Sequence, residues 1–302
     1  MATHRACRPG RKRRTTDISF WSVSLMPDDN AHSAKHALFS IALVNYKTLH
    51  MTRLCLGLLR DYAIYHQVPV WVVDNGSADE SIHYLRTLDW INLVERIPHP
   101  REAGYIAHGK ALDLILGYVE TPYLFLLHTD TFVFDTDVFS MMMSQSTATP
   151  RTVAVGCTEQ INRGFLRTAW RFGTRLMKYH YRTLMRYVGL PSKNPKPFRE
   201  THLKSFCTLW NCDVIKQHNL RFMMDNRVPG YALQDKMVKL GYAISFLSAR
   251  RLFSYLDHIQ AGTVAANGGY DTDHRRRKTY HDTLLRFQKE ASNDAKTTST
   301  EK

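Results

Sequence analysis

Three clusters of polar residues each follow an apolar run in the first half of this 302-residue chain. Their carboxylate, amide, hydroxyl and imidazole groups are suited to binding a polar ligand. Ligand sites of open parallel sheets lie at the carboxyl ends of the strands, so clusters on successive strands indicate one shared site. Alone, each cluster is also typical of a turn or a helix cap. The clusters are Asn45-Tyr46, Asp74-Asn75-Gly76-Ser77 and His128-Thr129-Asp130.

Alternating strand and helix patterns surround these clusters. Continuous apolar runs predict buried strands, and apolar residues at helical spacing predict helices between them. The expected strands are 39–45, 68–73, 91–96 and 123–127. The expected helices follow Thr48, which we expect to cap the first of them, and cover 79–88 and 105–119. This alternation is typical of an α/β fold with a mostly parallel central sheet flanked by helices.

The second half of the chain has a looser pattern. A basic amphipathic helix is expected over 163–188, followed by a proline-containing linker over 191–197. Strands are expected over 152–156, 202–210, 242–247 and 252–256. Helices are expected over 231–240 and 273–291. We expect a disordered basic tail over 1–35 and a charged helix with a polar tail over 271–302.

The charge of the chain is uneven. The formal net charge is +14, but residues 1–14 and 163–204 carry the excess; the rest has 24 Lys/Arg against 26 Asp/Glu. A general nucleic-acid binder is therefore not expected, although the tail could bind nucleic acid or membrane, or precede a true start at Met26. Five cysteines without a C-x-x-C pair, no signal sequence and no apolar run of about 18 residues predict a cytoplasmic protein.

Four motifs in 39–143 resemble the nucleotide-binding half of an inverting GT-A glycosyltransferase of family 2. They are Ala42-Leu-Val-Asn-Tyr46, Trp71-Val-Val-Asp-Asn-Gly-Ser-Ala-Asp79, Gly104-Tyr-Ile-Ala-His-Gly-Lys-Ala-Leu-Asp113 and Tyr123-Leu-Phe-Leu-Leu-His-Thr-Asp-Thr-Phe132. Looser matches lie around 210–213, 230–242 and 257–258. The resemblance implies the GT-A fold, with a nucleotide-sugar half over 36–150 and an acceptor half over 151–270. It implies sugar transfer, with inversion, from a nucleoside diphosphate sugar to a glycan or lipid-linked acceptor.

The resemblance also implies which residues bind the donor nucleotide. Asp74 would accept a hydrogen bond from a base N–H, and Asn45 would lie beside the ribose or base. Gly76 would let the chain pass close to the ligand. The helix opening at Gly104 would offer N–H groups to an anionic or polar ligand. The expected donor-binding residues are Asn45, Asp74, Asn75, Gly76, Gly104, His108, Lys110 and Thr129.

The metal position departs from the family pattern of two acids flanking one residue. Asp130 keeps the second acid, which would hold a divalent metal, whereas His128 replaces the first. His258 stands where related enzymes bring a late histidine to the metal. Neutral imidazole is a competent ligand, especially for Mn²⁺, so weaker Mg²⁺ affinity is expected, and metal independence remains an alternative.

Direct inversion needs a base to take the proton of the acceptor hydroxyl. The resemblance implies a carboxylate near the start of a late helix, where Asp235 stands. Gln234 replaces one of the usual acidic neighbours, and Asp225 is the second candidate base.

The helix over 163–188 carries a regular basic stripe beside a broad apolar face. The stripe is Arg163, Arg167, Arg171, Arg175, Lys178, Arg182 and Arg186. This composition is typical of a helix lying on an anionic membrane, and equally of one packed on the core with its arginines in water. The linker over 191–197 would let it move as a flap. Together these features predict a metal-assisted enzyme of cell-surface glycan assembly, on the cytoplasmic face of a membrane.

Two other functions stay open at this point. A nucleotidyltransferase would share the α/β nucleotide-binding logic, but it needs a glycine-rich loop after the first strand, and residues 45–50 contain no glycine. A non-catalytic basic protein that binds membrane or nucleic acid is the other alternative.

Overall fold

A computed structural model describes residues 37–102, 104–162, 164–259 and 285. Its strands are β1 Phe39–Asn45, β2 Val70–Asp74, β3 Asn92–Glu95, β4 Tyr123–His128, β5 Thr131–Val133, β6 Thr152–Cys157, β7 Cys207–Asn211, β8 Ala243–Leu247 and β9 Leu256–His258. Its helices are α1 Leu49–Tyr65, α2 Glu80–Arg86, α3 Tyr105–Tyr118, α4 Asp137–Thr147, α5 Gly164–Tyr187, α6 Cys212–Gln217, α7 Tyr231–Lys239 and α8 Ala249–Leu252. The expected tail over 1–35, the helix over 273–291 and Arg163 lie outside the described residues.

A seven-stranded sheet forms the centre of the fold, in the order β3-β2-β1-β4-β7-β6-β8. Only β7 runs antiparallel to its neighbours β4 and β6; the other pairings are parallel. The expected α/β fold class with a mostly parallel central sheet is therefore confirmed. Strands from both halves of the chain share this sheet.

The alternation of side chains along β1 explains why both faces of the sheet are covered. Ile41 and Leu43 belong to one buried cluster with residues of α1 and α4. Ala42 belongs to a second cluster with residues of α3 and α7. Successive side chains of a strand point to opposite faces, so a continuous apolar strand needs helices on both sides.

Several local expectations were wrong. The expected strand over 252–256 is replaced by α8, which ends at Leu252, and by the short β9. Only the last part of 202–210 is strand, in β7. Thr48 precedes α1 without a side-chain cap, because its hydroxyl donates instead to Asn45 Oδ1 at 3.0 Å. The helices α4 and α6 and the strand β5 were not expected.

A two-stranded antiparallel sheet of β5 and β9 returns the end of the described chain to the edge of the main sheet. Thr131 lies opposite His258 in its register. Because Thr131 follows Asp130 directly, this pairing places His258 beside the third polar cluster.

Four of the five cysteines lie among the described residues. Cys55, Cys157, Cys207 and Cys212 are all buried and free of disulfides. None of the helices among the described residues is both long and apolar enough to cross a membrane.

Candidate active site

The carboxyl ends of β1, β2 and β4 bring the three polar clusters to one edge of the sheet. Asn45 lies opposite Asp74, and Val44 lies opposite His128, in the registers of these parallel strands. The loops that follow parallel neighbours emerge at the same edge. The site is therefore built at the position that the sequence pattern indicates.

Asn45 is fully buried and joins β1 to the turn after β2. The neighbours of its Nδ2 are Asp74 Oδ1 at 2.7 Å, Ser81 Oγ at 2.9 Å and Ser77 Oγ at 3.1 Å. Its Oδ1 accepts hydrogen bonds from Thr52 at 2.7 Å and Thr48 at 3.0 Å. The side chain of Asn45 has no exposed surface for a ligand. In this structure it orients Asp74 through the hydrogen bond from its Nδ2.

Asp74 is held in place by the turn that it begins. Its Oδ2 accepts a hydrogen bond from the Ser77 backbone N–H at 3.0 Å, and its Oδ1 accepts one from the Ser77 hydroxyl. Arg96 Nη1 donates to Asn75 Oδ1 at 2.6 Å. These bonds pre-organise the turn, which lowers the cost of ordering it around a ligand.

Lys110 lies in the second turn of α3 and takes part in an ion-pair network. It pairs with Glu102 at 2.5 Å, and Arg96 pairs with the same carboxylate. The two cations hold the pKa of Glu102 down at about 2. Lys110 thus reaches the turn after β2 only through Glu102 and Arg96.

Gly76 is the residue that allows this turn. Its φ is +75°, in the left-handed region, and a Cβ there would lie 2.7 Å from Pro98 Cδ. Any other residue would therefore be strained by its backbone and would overlap the proline ring.

We expect Gly76→Ala to lower the free energy of unfolding by about 2–4 kcal/mol, from the left-handed backbone cost plus overpacking. Chemical denaturation measures this. Gly57→Ala is the matched control, because Gly57 lies inside α1 with nothing within 4 Å of an added Cβ. That variant should be stabilised by about 0.5–1 kcal/mol. Equal effects of the two substitutions would show that the turn tolerates a side chain.

The opening of α3 contributes one half-buried histidine, His108. Gly104 precedes the helix with φ +56°, and Gly109 packs so tightly that a Cβ would lie 2.9 Å from Met223 and Pro229. His108 points inward, where burial lowers its pKa to about 4 and keeps the ring neutral. Its Nε2 is buried and has no hydrogen-bond partner among the described residues.

His128, Asp130 and His258 converge at the end of β4, with ligand atoms all within 4.8 Å of one another. His258 Nε2 lies 3.3 Å from Asp130 Oδ1, and His128 Nδ1 lies 3.7 Å from the same oxygen. Asp130 and His258 are buried, and Thr129 between the first two is buried against Thr48, with their hydroxyl oxygens 3.3 Å apart.

Neighbouring groups orient the two imidazoles towards Asp130. Gln160 O lies 2.8 Å from His258 Nδ1, and Ser205 Oγ lies 2.9 Å from His128 Nε2. A proton on His258 Nδ1 satisfies the Gln160 carbonyl and leaves the Nε2 lone pair facing a carboxylate oxygen. A proton or a metal cation placed there relieves that repulsion, so this donor set fits a divalent metal.

The two histidines differ in their preference for a proton. Burial, followed by the neighbouring His108, lowers the pKa of His128 to about 3, so its ring is neutral at pH 7. Burial also lowers the pKa of His258, but Asp130 and the Gln160 carbonyl raise this pKa by more than burial lowers it. The net shift is therefore upward. A proton therefore competes with a metal mainly at His258.

Asp235 lies at the first turns of α7 and is paired on both oxygens. His202 Nε2 lies 3.0 Å from its Oδ1, and Arg227 Nη1 donates to its Oδ2 at 2.7 Å. Burial raises the pKa of Asp235, but Arg227 and His202 lower it more, so the carboxylate is ionised at neutral pH. His202, the partner of Asp235, lies three residues before Ser205, the partner of His128. Because the chain spans at most about 3.5 Å per residue, Asp235 lies on the His128 side of the site.

The other candidate base, Asp225, lies in an exposed loop. Its φ is +55°, and its carboxylate is 4.0 Å from Lys236. Among the described residues, no hydrogen bond or ion pair joins Asp225 to the metal cluster or to the groups that hold it, so Asp235 is the better placed of the two.

Sequence reasoning missed the groups that hold these residues. Ser205 and Gln160 orient the histidines, and neither belongs to a recognisable motif. Gln234 is buried; its Oε1 accepts from Leu203 N–H at 2.9 Å and its Nε2 donates to Thr201 O at 2.7 Å. Gln234 thus fixes the segment that carries His202 and Ser205, which explains an amide where an acid was expected.

Asp113 anchors the loop that packs on α3. It accepts hydrogen bonds from Phe222 N–H at 2.6 Å and Met223 N–H at 3.2 Å. Burial raises its pKa to about 6 and outweighs those bonds. The folded state therefore binds this proton more tightly than the unfolded chain does, so the stability contribution is complete below about pH 4 and is lost as pH rises through about 6.

We expect wild type to lose about 2 kcal/mol of unfolding free energy relative to Asp113→Asn between pH 4 and pH 7. Urea denaturation at both pH values measures the difference. The control is Asp61→Asn, an exposed acid on α1, which should follow wild type. Parallel pH dependence of wild type and Asp113→Asn would contradict the burial of a protonated carboxyl.

No protein-family model matches the sequence, and no curated protein matches it. Solved structures do. The chain is similar to the mannosyltransferase PcManGT from Pyrobaculum calidifontis in complex with GDP-Man and Mn²⁺, with TM-score 0.49 and 15% identity over 74% of this chain and 58% of that one. It is similar to S. aureus TarS 1–349, with TM-score 0.43 and 16% identity over 70% and 58%.

A third similar structure is glucosyl-3-phosphoglycerate synthase from Mycobacterium tuberculosis in complex with UDP, with TM-score 0.45 and 16% identity over 69% of this chain and 68% of that one. The chain thus spans less than two thirds of the first two proteins. At such identities the roles of individual residues rest on this chain's own contacts.

Proposed function

We propose that this protein is an inverting glycosyltransferase that moves a sugar from a nucleoside diphosphate sugar to a hydroxyl of a glycan or lipid-linked acceptor. The observation that carries the proposal is the convergence of Asp130, His128 and His258 beside the ordered turn at Asp74. A metal-ligand set next to a rigid hydrogen-bonding turn, at the carboxyl edge of a parallel sheet, suits a base and a diphosphate in one ligand.

In this proposal the turn after β2 binds the nucleoside. Asp74 accepts a hydrogen bond from a base N–H, using carboxylate lone pairs that do not already accept from Asn45 or Ser77. The backbone at Asn75 and Gly76 passes close to the ligand. The opening of α3 at Gly104 supplies N–H groups. His108, half-buried and neutral, faces the His128 ring at 5.1 Å between centroids.

Asp130, His128 and His258 would hold Mn²⁺ or Mg²⁺. A bound metal supplies Lewis-acid stabilisation of charge on the departing nucleoside diphosphate. Two imidazoles and one carboxylate favour Mn²⁺, because Mg²⁺ prefers an all-oxygen shell.

Asp235 takes the acceptor proton in this scheme. Its carboxylate is ionised at neutral pH and is held between Arg227 and His202. Arg227 lowers its basicity, so a substrate that displaces the Arg227 contact would strengthen the base. Asp225 is the second candidate.

Calorimetric titration of UDP, GDP and dTDP, each with and without Mn²⁺, tests the proposal. We expect one of the three to bind tightly and only with the metal. Binding of none of them under any condition would remove the nucleotide-sugar function, and tight metal-free binding would remove the role of the histidine-aspartate cluster.

We further propose that the protein works at the cytoplasmic face of a membrane, in cell-surface glycan assembly. The support is the outward face of α5, where large apolar side chains stand in water at helical spacing. They are Leu166, Trp170, Met177, Tyr181 and Leu184, which are 56–81% exposed. Aromatic and aliphatic groups in such a stripe suit the interface of a bilayer.

Trp170→Ser should reduce sedimentation of the protein with anionic vesicles at least about fivefold, because an interfacial tryptophan buries much of its apolar surface. Tyr65→Ser is the matched control, since Tyr65 is 82% exposed on α1, away from the stripe. If the two variants sediment alike, α5 does not carry the membrane contact.

A further inference from the structure

Two adjoining cavities lie on the inner side of α5. The first has a volume of about 470 Å³ and the second about 330 Å³, and they share Arg175, Arg199 and Glu200. Their walls are α5 on one side and the segment 196–204 on the other, and the segment 158–160 also lines the first cavity. We refer to both together as the α5 cleft.

The α5 cleft is strongly cationic. Seven Lys/Arg and two Glu line it. Glu200 is shared by Arg175 at 3.0 Å and Lys204 at 3.3 Å. Within the described part of the chain, no carboxylate lies within 4.0 Å of the charged nitrogens of the remaining cleft cations. These are Arg171, Lys178, Arg182, Lys196 and Arg199.

The helix α5 turns its basic face towards the protein and its apolar face towards solvent, the reverse of an amphipathic helix packed on a core. Arg171, Arg175 and Arg182 face the cleft, whereas Trp170 and Met177 stand 77% and 74% exposed on the far side. Gathering like charges in a partly enclosed space is unfavourable by itself, so the arrangement favours an anion between them.

The cleft also adjoins the candidate active site at two points. Gln160 lines the first cavity, and its carbonyl is the partner of His258 Nδ1. His202 lines the second cavity and pairs with Asp235. A molecule in the cleft would thus touch the groups that support both the metal cluster and the proposed base.

We infer that the α5 cleft binds the phosphate or pyrophosphate group of the acceptor. This rests on the proposed function, since it assigns the acceptor of that reaction to an anionic class. Arginine forks match phosphate oxygens in bidentate geometry, and several around one cavity suit a diphosphate better than a neutral glycan. The proposed function places the donor diphosphate at the metal held by Asp130. The α5 cleft is therefore available to a second anion, that of the acceptor.

Inorganic pyrophosphate is the probe, titrated by calorimetry into the full-length protein without metal. Arg171→Ala and Arg182→Ala should each weaken its binding about tenfold, the loss expected for one charged hydrogen-bonding partner. Arg167→Ala is the matched control, because Arg167 is exposed on the same helix outside the cleft. Asp130→Ala should leave pyrophosphate binding unchanged.

The outcomes separate this inference from the proposed function. Equal losses in Arg167→Ala and Arg171→Ala, or no loss in either cleft variant, would overturn the α5 cleft as an anion site. Pyrophosphate binding that needs Mn²⁺ and Asp130 would also overturn it, because the anion would then lie at the metal cluster. Failure of nucleotide binding alone would overturn the glycosyltransferase proposal and leave the cleft result standing.

A vesicle arm distinguishes a lipid-borne from a soluble phosphate. Phosphatidylcholine vesicles with and without phosphatidic acid are sedimented with each variant. If the phosphate group is lipid-borne, the protein should sediment only with vesicles that contain phosphatidic acid. This sedimentation should be lost in Arg171→Ala, Arg182→Ala and Trp170→Ser. A soluble group predicts cleft-dependent pyrophosphate binding with no dependence on phosphatidic acid.

Discussion

Asp130→Ala should lower Mn²⁺-dependent nucleoside diphosphate affinity at least about 100-fold, the upper end of what loss of a supporting group alone costs a metal site. Asp130 supplies the only carboxylate of the cluster, and both histidines are oriented towards its Oδ1. Without it two neutral or protonated imidazoles remain, which hold a divalent cation weakly. Sugar transfer should fall at least in parallel, since the charge of the leaving diphosphate is then not neutralised.

Calorimetry with and without Mn²⁺ measures the loss for Asp130→Ala, and Asp61→Asn provides a control that removes an acid from α1. Thermal unfolding of both variants separates loss of the site from loss of the fold. Wild-type affinity in Asp130→Ala would show that the metal, if used, is held elsewhere.

Asn45→Ala should lower the free energy of unfolding by about 3 kcal/mol or more and abolish nucleotide binding. The substitution leaves buried partners on both sides of the amide unsatisfied, each at a cost of about 1–3 kcal/mol when it cannot reach water. Asp74 also loses the donor at 2.7 Å that fixes its orientation. The melting temperature should fall roughly 6–12 °C for a domain of this size.

Asn92→Ala is the control for Asn45→Ala, because Asn92 lies exposed on β3 of the same sheet. It should melt within about 2 °C of wild type, as surface substitutions usually do. A nucleotide affinity that survives in Asn45→Ala would contradict the positioning of Asp74 by this amide.

The strands β1, β2 and β4 were predictable because they are buried on both faces. Continuous apolar runs such as 39–45 and 123–127 are accommodated only where helices cover both faces of a sheet, and the polar residues after each run mark the end of the strand. The clustering of Asp74 and His128 at one edge follows from parallel strands alone.

The parts that could not be predicted depend on long-range contacts. Only the family resemblance placed His258 at the metal. Its contact with Asp130 depends on the pairing of β9 with β5, and both strands are three residues long, too short for a pattern. Ser205 contacts His128 through its hydroxyl and Gln160 contacts His258 through its backbone carbonyl, and neither contact leaves a trace in residue spacing.

The orientation of α5 is the clearest case of this limit. Its amphipathic pattern indicates two faces but does not say which one meets the protein. Two arrangements were expected, a helix lying on a membrane and a helix packed on the core with its arginines in water. In neither of them do the arginines line a cavity of the protein. The structure turns Arg171 and Arg175 towards the segment 196–204, where Glu200 pairs with Arg175 at 3.0 Å.

The most direct test of the proposed glycosyltransferase is a crystal structure of the full-length protein with Mn²⁺ and the nucleoside diphosphate that binds best. Anomalous scattering locates the metal without assumption. The proposal predicts one manganese peak bounded by Asp130 and His258, with the base of the nucleotide against Asp74. A nucleotide bound elsewhere, or a manganese ion remote from Asp130, would contradict it.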